Sequence, residues 1–82
     1  MSLPYKNQIL DLHGERYEEA RRKTIQFIEW SIGYWNEVQI VTGHSEGMRN
    51  VVKEVLDEYD KIKYYVGGYL ETNPAIIFVE ID

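Results

Sequence analysis

The first part of the chain changes from a strand-like to a helix-like arrangement of hydrophobic residues. A short apolar run, Ile9-Leu10-Asp11-Leu12, ends at a His-Gly pair and predicts a buried strand. From about Tyr17 the apolar positions recur at helical spacing, and Gly33 follows as a residue at which this helix can end. The predicted buried face of the helix consists of Ala20, Thr24, Phe27, Ile28 and Ser31 or Ile32.

A second strand and a second helix follow in the same order. Residues 38–41 (Val-Gln-Ile-Val) predict a strand that ends at Thr42-Gly43, and the polar residues 44–47 form a loop. The next helix has the clearest periodicity in the chain, because hydrophobic residues recur at three and four positions without a break. These residues are Met48, Val51, Val52, Val55, Leu56 and Tyr59.

The last part of the chain predicts two strands joined by a short loop. Residues 62–66 alternate as a strand does, Gly67-Gly68 ends that strand, residues 69–74 form a loop, and residues 75–81 are strongly apolar. The predicted order is therefore β-α-β-α-β-β. Strand–helix–strand units require parallel neighbours with right-handed crossovers, whereas the last two strands should be antiparallel. The expected fold is α+β, a two-layer sandwich in which two helices cover one face of a four-stranded mixed sheet.

Composition restricts the class of protein. A chain of 82 residues makes a single domain, predicted here to span residues 1–82 with a core from about residue 8. No stretch approaches the roughly 20 apolar residues that cross a bilayer, and the first residues lack the pattern of a signal peptide. Cysteine is absent, which excludes disulfides and thiolate metal sites. These features predict a cytoplasmic protein that does not interact with a membrane.

The charge distribution bears on any nucleic-acid role. The net charge is −5, and an acidic surface repels phosphate. The acidity is concentrated in residues 50–82, which hold three basic and seven acidic side chains, whereas residues 1–49 hold six basic and seven acidic. A polyanion is therefore expected to approach the first part of the chain.

Two polar turns are predicted to meet at one edge of the sheet. Residues 11–14 and 42–47 each follow a parallel strand at its carboxyl end, which is where ligands bind in open α/β sheets. Both turns lead into a helix, whose first N–H groups and dipole favour an anion. Each turn also carries a histidine, His13 or His44, and imidazole is well suited to proton transfer near neutral pH.

Each of these features also has a purely structural interpretation. Asp11 could hydrogen-bond the backbone of its turn, His13 could cap the end of its strand, and Gly43 and Gly47 are ordinary turn residues. The basic run at residues 21–23 is typical of a solvated helix face, and strand tyrosines more often pack a sheet than stack on bases. Asp11, His13 and His44 could also ligate a metal, although two histidines and one carboxylate are an unspecific set.

Two motifs nevertheless resemble one known family. Leu10-Asp11-Leu12-His13-Gly14, followed by Glu18-Glu19-Ala20, resembles the opening of the Smr (small MutS-related) domain. The family's second motif is a strand ending in Thr-Gly or His-Gly, then a glycine-containing loop, a Leu-Arg-like pair and a helix. Here residues 38–43 resemble that strand and its end, and Gly47-Met48-Arg49 resembles the end of the loop and the Leu-Arg-like pair. The resemblance covers residues 8–82.

The chain departs from the family pattern at two places. Ser45 stands where the family has the second glycine of a Gly-x-Gly, and the loop is about one residue shorter before Arg49. Serine at that position could weaken contact with a phosphate or could instead cap the helix. The family's glycine-rich turn before the last strand is represented by Gly67-Gly68, a longer loop and Ala75.

The resemblance implies a fold like the C-terminal domain of bacterial translation initiation factor three, with strand order 1-2-4-3. It also implies binding of DNA or RNA and, in several members, endonuclease activity that nicks DNA or cleaves RNA. By position, Asp11 and His13 would be the catalytic pair, and Asp11 could help to hold Mg²⁺ or Mn²⁺. The implied nucleic-acid contacts are Gly14, Thr42, Gly43, His44, Ser45, Gly47 and Arg49. A module that binds nucleic acid or the ribosome without catalysis is the alternative, and a protein-interaction domain that uses the acidic second part of the chain is a third.

Overall fold

The computed structural model describes residues 8–67 and 75–82, so the predicted loop at residues 69–74 lies outside the described residues. The order β-α-β-α-β-β is confirmed. The elements are β1 (Ile9–Asp11), α1 (Tyr17–Ser31), β2 (Glu37–Val41), α2 (Glu46–Leu56), β3 (Ile62–Val66) and β4 (Ile76–Ile81). Neither helix in these ranges is long and apolar enough to cross a membrane.

The four strands form one mixed sheet in the order β1-β2-β4-β3. β1 runs parallel to β2, with Leu10 opposite Ile40, and the crossover between them is α1. β4 lies antiparallel to both β2 and β3, with Ile77 opposite Ile40 on one side and Val66 on the other. The parallel pair therefore places the ends of β1 and β2 at the same edge, as the pattern predicted.

One hydrophobic core joins both helices to one face of the sheet. Alternate strand residues contribute to it, because successive side chains of a strand point to opposite faces. Phe27, Leu12 and Val52 are completely buried, whereas Ile9, on the other face of β1, is 46% exposed. Since a single core contains residues of α1, α2 and the strands, both helices lie on the same face, as expected. The core consists of Leu10, Leu12, Ala20, Phe27, Ile28, Val38, Ile40, Met48, Val52, Leu56, Ile77, Val79 and Ile81.

The buried face of α1 includes two hydroxyl groups, which are accommodated by hydrogen bonds within the helix. Thr24 donates to the carbonyl of Ala20, and Ser31 donates to the carbonyl of Phe27, both at 2.7 Å. A buried hydroxyl with such a partner avoids most of the desolvation cost. Gly33 follows the helix with a φ of 91°, in agreement with its predicted role as a stop.

The boundaries of α2 differ from those that the periodicity predicted. The helix begins at Glu46, two residues before Met48, because Ser45 caps it. It ends at Leu56, so Tyr59 lies beyond the helix, and the N–H of Tyr59 donates to the carbonyl of Leu56. Tyr59 still packs against the core, which explains why its spacing resembled that of a helix residue.

Candidate functional site

The turn after β1 and the loop after β2 lie side by side. The N–H of Leu12 bonds the carbonyl of Val41 at 2.7 Å, which extends the pairing of the two strands to their ends. Just beyond, a Cβ placed on Gly43 would lie 3.3 Å from the Cβ of His13, closer than ordinary contact. The predicted convergence of the two turns is therefore present, and it depends on a residue without a side chain at position 43.

The two segments also touch at a second point, which the sequence analysis missed. A Cβ placed on Gly47 would lie 2.8 Å from Cζ of Tyr17 and closer still to its hydroxyl oxygen. Tyr17 is the first residue of α1, and Gly47 is in the first turn of α2. Gly47 therefore provides space for an aromatic ring. The sequence offered one signal for this contact, an aromatic residue three positions after the His-Gly pair. It did not identify Gly47 as the partner, because that depends on how the two helices pack.

Asp11 and His13 form a hydrogen-bonded pair at the surface. Oδ1 of Asp11 lies 2.8 Å from Nδ1 of His13 and also accepts the backbone N–H of His13 at 3.0 Å. The side chains are 56% and 70% exposed, respectively. One carboxylate oxygen thus orients both the backbone and the ring of the histidine, which leaves Nε2 as the ring nitrogen available to a substrate.

This hydrogen bond also determines the protonation of the pair. The side-chain hydrogen bond from His13 lowers the pKa of Asp11, and the backbone hydrogen bond adds to the effect. The same side-chain bond, together with the negative charge of Asp11, raises the pKa of His13. The raised pKa favours the protonated imidazole beside Asp11, and histidine is the side chain that most often transfers protons in catalysis.

Thr42 is placed differently from the expectation. Its side chain is 1% exposed, and its hydroxyl donates to the carbonyls of Gly43 (2.8 Å) and Ala75 (3.2 Å). The N–H groups of Thr42 and Gly43 bond the same carbonyl of Ala75. The Thr42 side chain therefore anchors the loop to the start of β4, and contact of Thr42 with nucleic acid stays a prediction.

Ser45 shows what the missing family glycine means in this chain. Its oxygen accepts the N–H of Met48 at 3.1 Å, which makes it the N-cap of α2. Its backbone is extended (φ −82°, ψ 118°), a conformation that requires no glycine. Of the two interpretations of this serine, the structure confirms the helix cap. The first-turn N–H groups of Glu46 and Gly47 have no acceptor within the helix.

The other predicted contact residues surround this edge of the sheet. Gly14 and His44 are exposed in their turns, and Arg49 is half-buried in α2. Gly14 follows His13 directly, and His44 lies between Gly43 and the Ser45 cap. The two histidines are thus carried by adjacent loops. In the described residues, a hydrogen bond with a carboxylate organises the ring of His13.

The basic run of α1 is neutralised by acidic neighbours. Arg22 pairs with Glu19 at 2.6 Å, and Lys23 pairs with Glu15. The remaining member of the run, Arg21, lies 3.7 Å from Glu58. All three basic side chains therefore lie beside carboxylates, in agreement with the interpretation of this run as a solvated helix face.

The described residues around Asp11 do not form a metal site on their own. One carboxylate oxygen is engaged by His13, and no group of three or more histidine, cysteine or acidic residues in ranges 8–67 and 75–82 is arranged to hold an ion. Mg²⁺ that also binds a phosphate needs only one or two protein carboxylates, and Asp11 would be the one to supply it here. In this structure Asp11 orients His13.

Comparisons with known proteins agree with this architecture. The Smr domain of Thermus thermophilus MutS2 shares the fold with a TM-score of 0.80 and 18% sequence identity, and the match covers 93% of this chain and 99% of that one. YdaL, a stand-alone small MutS-related protein from Escherichia coli, has a TM-score of 0.72 and 20% identity, and the match covers 90% of this chain and 63% of that one. The Smr domain of NEDD4-binding protein 2 has a TM-score of 0.70 and 18% identity, and the match covers 100% of this chain and 93% of that one. No curated protein sequence matches the chain. The family model of the Smr domain matches residues 10–80, and the chain therefore belongs to the Smr domain family.

Proposed function

We propose that this domain binds DNA or RNA at the edge formed by residues 11–14 and 42–47 and that it cuts the bound strand as an endonuclease. The observation that carries the proposal is the 2.8 Å contact between Asp11 and Nδ1 of His13. A carboxylate that orients an exposed imidazole is a standard arrangement for general acid–base catalysis. Membership of the Smr family supports nucleic acid as the ligand. The expected location is the cytoplasm.

The proposed reaction is hydrolysis or transesterification of a phosphodiester. Nε2 of His13 takes the proton from the attacking hydroxyl, which belongs to water or to a ribose, while that oxygen forms a bond with phosphorus. The bond from phosphorus to the leaving oxygen breaks, and this oxygen receives a proton from the His13 imidazolium or from water. Asp11 keeps the ring in place and stabilises the imidazolium that forms between these steps.

The loop supplies the groups that would face the phosphate. The N–H groups of Glu46 and Gly47 lie at the N-terminus of α2, where the helix dipole favours negative charge. His44 and Arg49 are the nearby side chains that can add positive charge. Because Glu46 also lies in this first turn and opposes an anion, the proposed binding is weak and sensitive to salt.

Incubation of the purified domain with labelled RNA and with supercoiled plasmid, with and without Mg²⁺ or Mn²⁺, tests the proposal. The expected result is cleavage that His13→Ala abolishes while circular dichroism stays unchanged, because His13 is exposed. His44→Ala is the matched control and should reduce binding more than the rate of cleavage at saturation. Cleavage that survives in His13→Ala would overturn the catalytic role.

A non-catalytic module that binds nucleic acid or the ribosome is the second candidate. The observation that favours it is the use of the Ser45 hydroxyl as a helix cap, which occupies the position of the family glycine. This function predicts salt-sensitive retention on RNA or on ribosomes with no cleavage under any metal condition. Failure to retain any nucleic acid at low salt would contradict both candidates.

A further inference from the structure

Tyr17 is an exposed aromatic residue at the first position of α1. Its side chain belongs neither to the hydrophobic core nor to the aromatic residues packed against it, and the residue is 54% exposed. An exposed tyrosine leaves apolar ring surface in water, where a ligand can reach it. The ring of Tyr17 is therefore available for contact with a partner.

The contact with Gly47 holds the ring in place by one end. Cζ, Cε2 and the hydroxyl oxygen approach the position of the absent Cβ, so the hydroxyl end of the ring rests on the backbone of α2. Contact through the end of a ring leaves ring surface open to solvent. Tyr17 is thus positioned by the start of the second helix and keeps surface on which a flat ligand can stack.

The loop at residues 43–47, whose last two residues are also the first two of α2, connects this ring to the Asp11–His13 pair. His13 touches the first residue of the loop, Gly43, and Tyr17 touches the last, Gly47. A nucleic-acid strand whose phosphate faces this loop therefore has His13 at one end of the loop and an aromatic surface at the other.

We propose that Tyr17 stacks on an unpaired base of a single-stranded nucleic acid whose phosphate lies at the loop of residues 43–47, and that it thereby selects single strands. This inference rests on the proposed nucleic-acid binding and adds the strandedness of the ligand. An unpaired base exposes a face that a duplex buries, and stacking on aromatic side chains is the common way in which proteins recognise it.

Other exposed tyrosines in the described ranges already have aromatic partners. Tyr34 stacks on Trp30, with ring centroids 6.0 Å apart and planes 11° from parallel. Tyr65 stacks on Phe78 at 5.9 Å on the sheet face that the helices leave open. Tyr34 lies just beyond the C-terminal end of α1, and it is therefore a suitable control for Tyr17.

The first test compares binding to two single-stranded ligands, an oligodeoxyadenylate and an abasic oligomer of the same length, by fluorescence anisotropy, with an oligoriboadenylate in parallel. Tyr17→Ala should weaken binding of the adenylate oligomers by about five- to tenfold, which is the lower part of the affinity loss expected when one stacking contact with a base is removed. It should leave the abasic oligomer unaffected, since that ligand offers phosphates without bases. Tyr17→Phe should retain the wild-type affinity, and Tyr34→Ala should not change it.

A second variant tests the role of Gly47 without removing the ring. In Gly47→Ala the new methyl group occupies the space of the tyrosine hydroxyl end, and the exposed ring must move away. Adenylate affinity should fall as it does in Tyr17→Ala, and the double variant should bind no more weakly than either single variant. Unchanged melting temperatures would show that the losses do not come from unfolding.

The outcomes separate this inference from the proposed function. Equal losses for the adenylate and abasic oligomers in Tyr17→Ala, or no loss for either, would overturn stacking while nucleic-acid binding stands. Equal affinity of the wild-type domain for single strands and for duplex of the same length would also overturn it. A wild-type domain that binds none of these ligands at low salt would overturn both.

Discussion

The contact between His13 and Gly43 can be tested by adding one methyl group. Gly43 has a φ of 73°, in the left-handed region, and its absent Cβ would lie 3.3 Å from the Cβ of His13. Gly43→Ala therefore introduces two costs, an unfavourable backbone conformation and a close contact with the proposed catalytic residue. Gly33→Ala is the matched control, since Gly33 has a φ of 91° and open space where its Cβ would be.

The backbone cost and the crowding cost can be estimated separately. Left-handed backbone costs an L-residue about 1–2 kcal/mol. Replacing glycine by alanine also restricts the unfolded chain, which returns about 0.4–1 kcal/mol. Gly33→Ala should thus lower the free energy of unfolding by about 1 kcal/mol. In Gly43→Ala the two carbons are a few tenths of an ångström inside the usual separation of about 3.5–4.0 Å. We expect this crowding to add about 1 kcal/mol, at the low end for overpacking, because the overlap is small and the turn must shift only slightly.

Denaturant unfolding measures the difference in stability, and NMR titration of the imidazole measures its position. Gly43→Ala should be about 1 kcal/mol less stable than Gly33→Ala, which for a domain of this size is about 4–8 °C in melting temperature. Movement of His13 away from Asp11 should also lower the pKa of His13 towards its ordinary value. Equal destabilisation by the two variants, with an unchanged His13 pKa in both, would refute the proposed contact.

Three further predictions concern the pair and the loop. In Asp11→Asn the His13 pKa should fall towards about 6.5 in an NMR titration, because the hydrogen bond and charge that raise it weaken or disappear. A histidine whose pKa is raised in the folded state stabilises the fold when the pH is below its pKa in the unfolded state. This contribution is lost as the pH rises through the pKa of the folded state, so Asp11→Asn should also lose that part of the pH dependence of unfolding. Ser45→Ala should cost about 1 kcal/mol in denaturant unfolding and Ser45→Gly a few tenths, because the cap to Met48 is lost and glycine is tolerated at an N-cap. Cleavage should persist in excess EDTA, because the proposed proton transfer uses the His13 imidazole and Asp11 is engaged in orienting it; complete loss that Mg²⁺ restores would contradict this assignment.

The fold was predictable because its signals are local and agree with one another. The period of hydrophobic residues identified each strand and helix, and the chirality of crossovers placed both helices on one face. The errors were at boundaries. Tyr59 kept a helical spacing without being in the helix, since a residue in a turn after a helix can still face the core. The apolar pattern of α2 begins two residues after the helix does, and the Ser45 cap that sets its start was one of two interpretations that the sequence left open.

The site was predictable to the extent that it is local. Asp11 and His13 are two residues apart, and one carboxylate oxygen reaches the backbone N–H and the ring Nδ1 of His13 without help from another element. The position of Thr42 depends instead on Ala75, which is distant in sequence. The contact of Tyr17 with Gly47 depends on the approach of two helices. Periodicity cannot reveal either contact, because each requires the relative placement of separate elements.

The glycines of the second motif serve different purposes, and this affects how the motif should be interpreted. Gly43 is required by its backbone conformation and by the proximity of His13, while Gly47 is required by the ring of Tyr17. The position between them has an extended backbone, which accepts serine and gains a helix cap. Loss of the family glycine at Ser45 therefore leaves both contacts between the loop and the first motif in place. The change at this position alters how the loop is capped and adds a side chain where the family has none, which is the ground for the binding-only candidate.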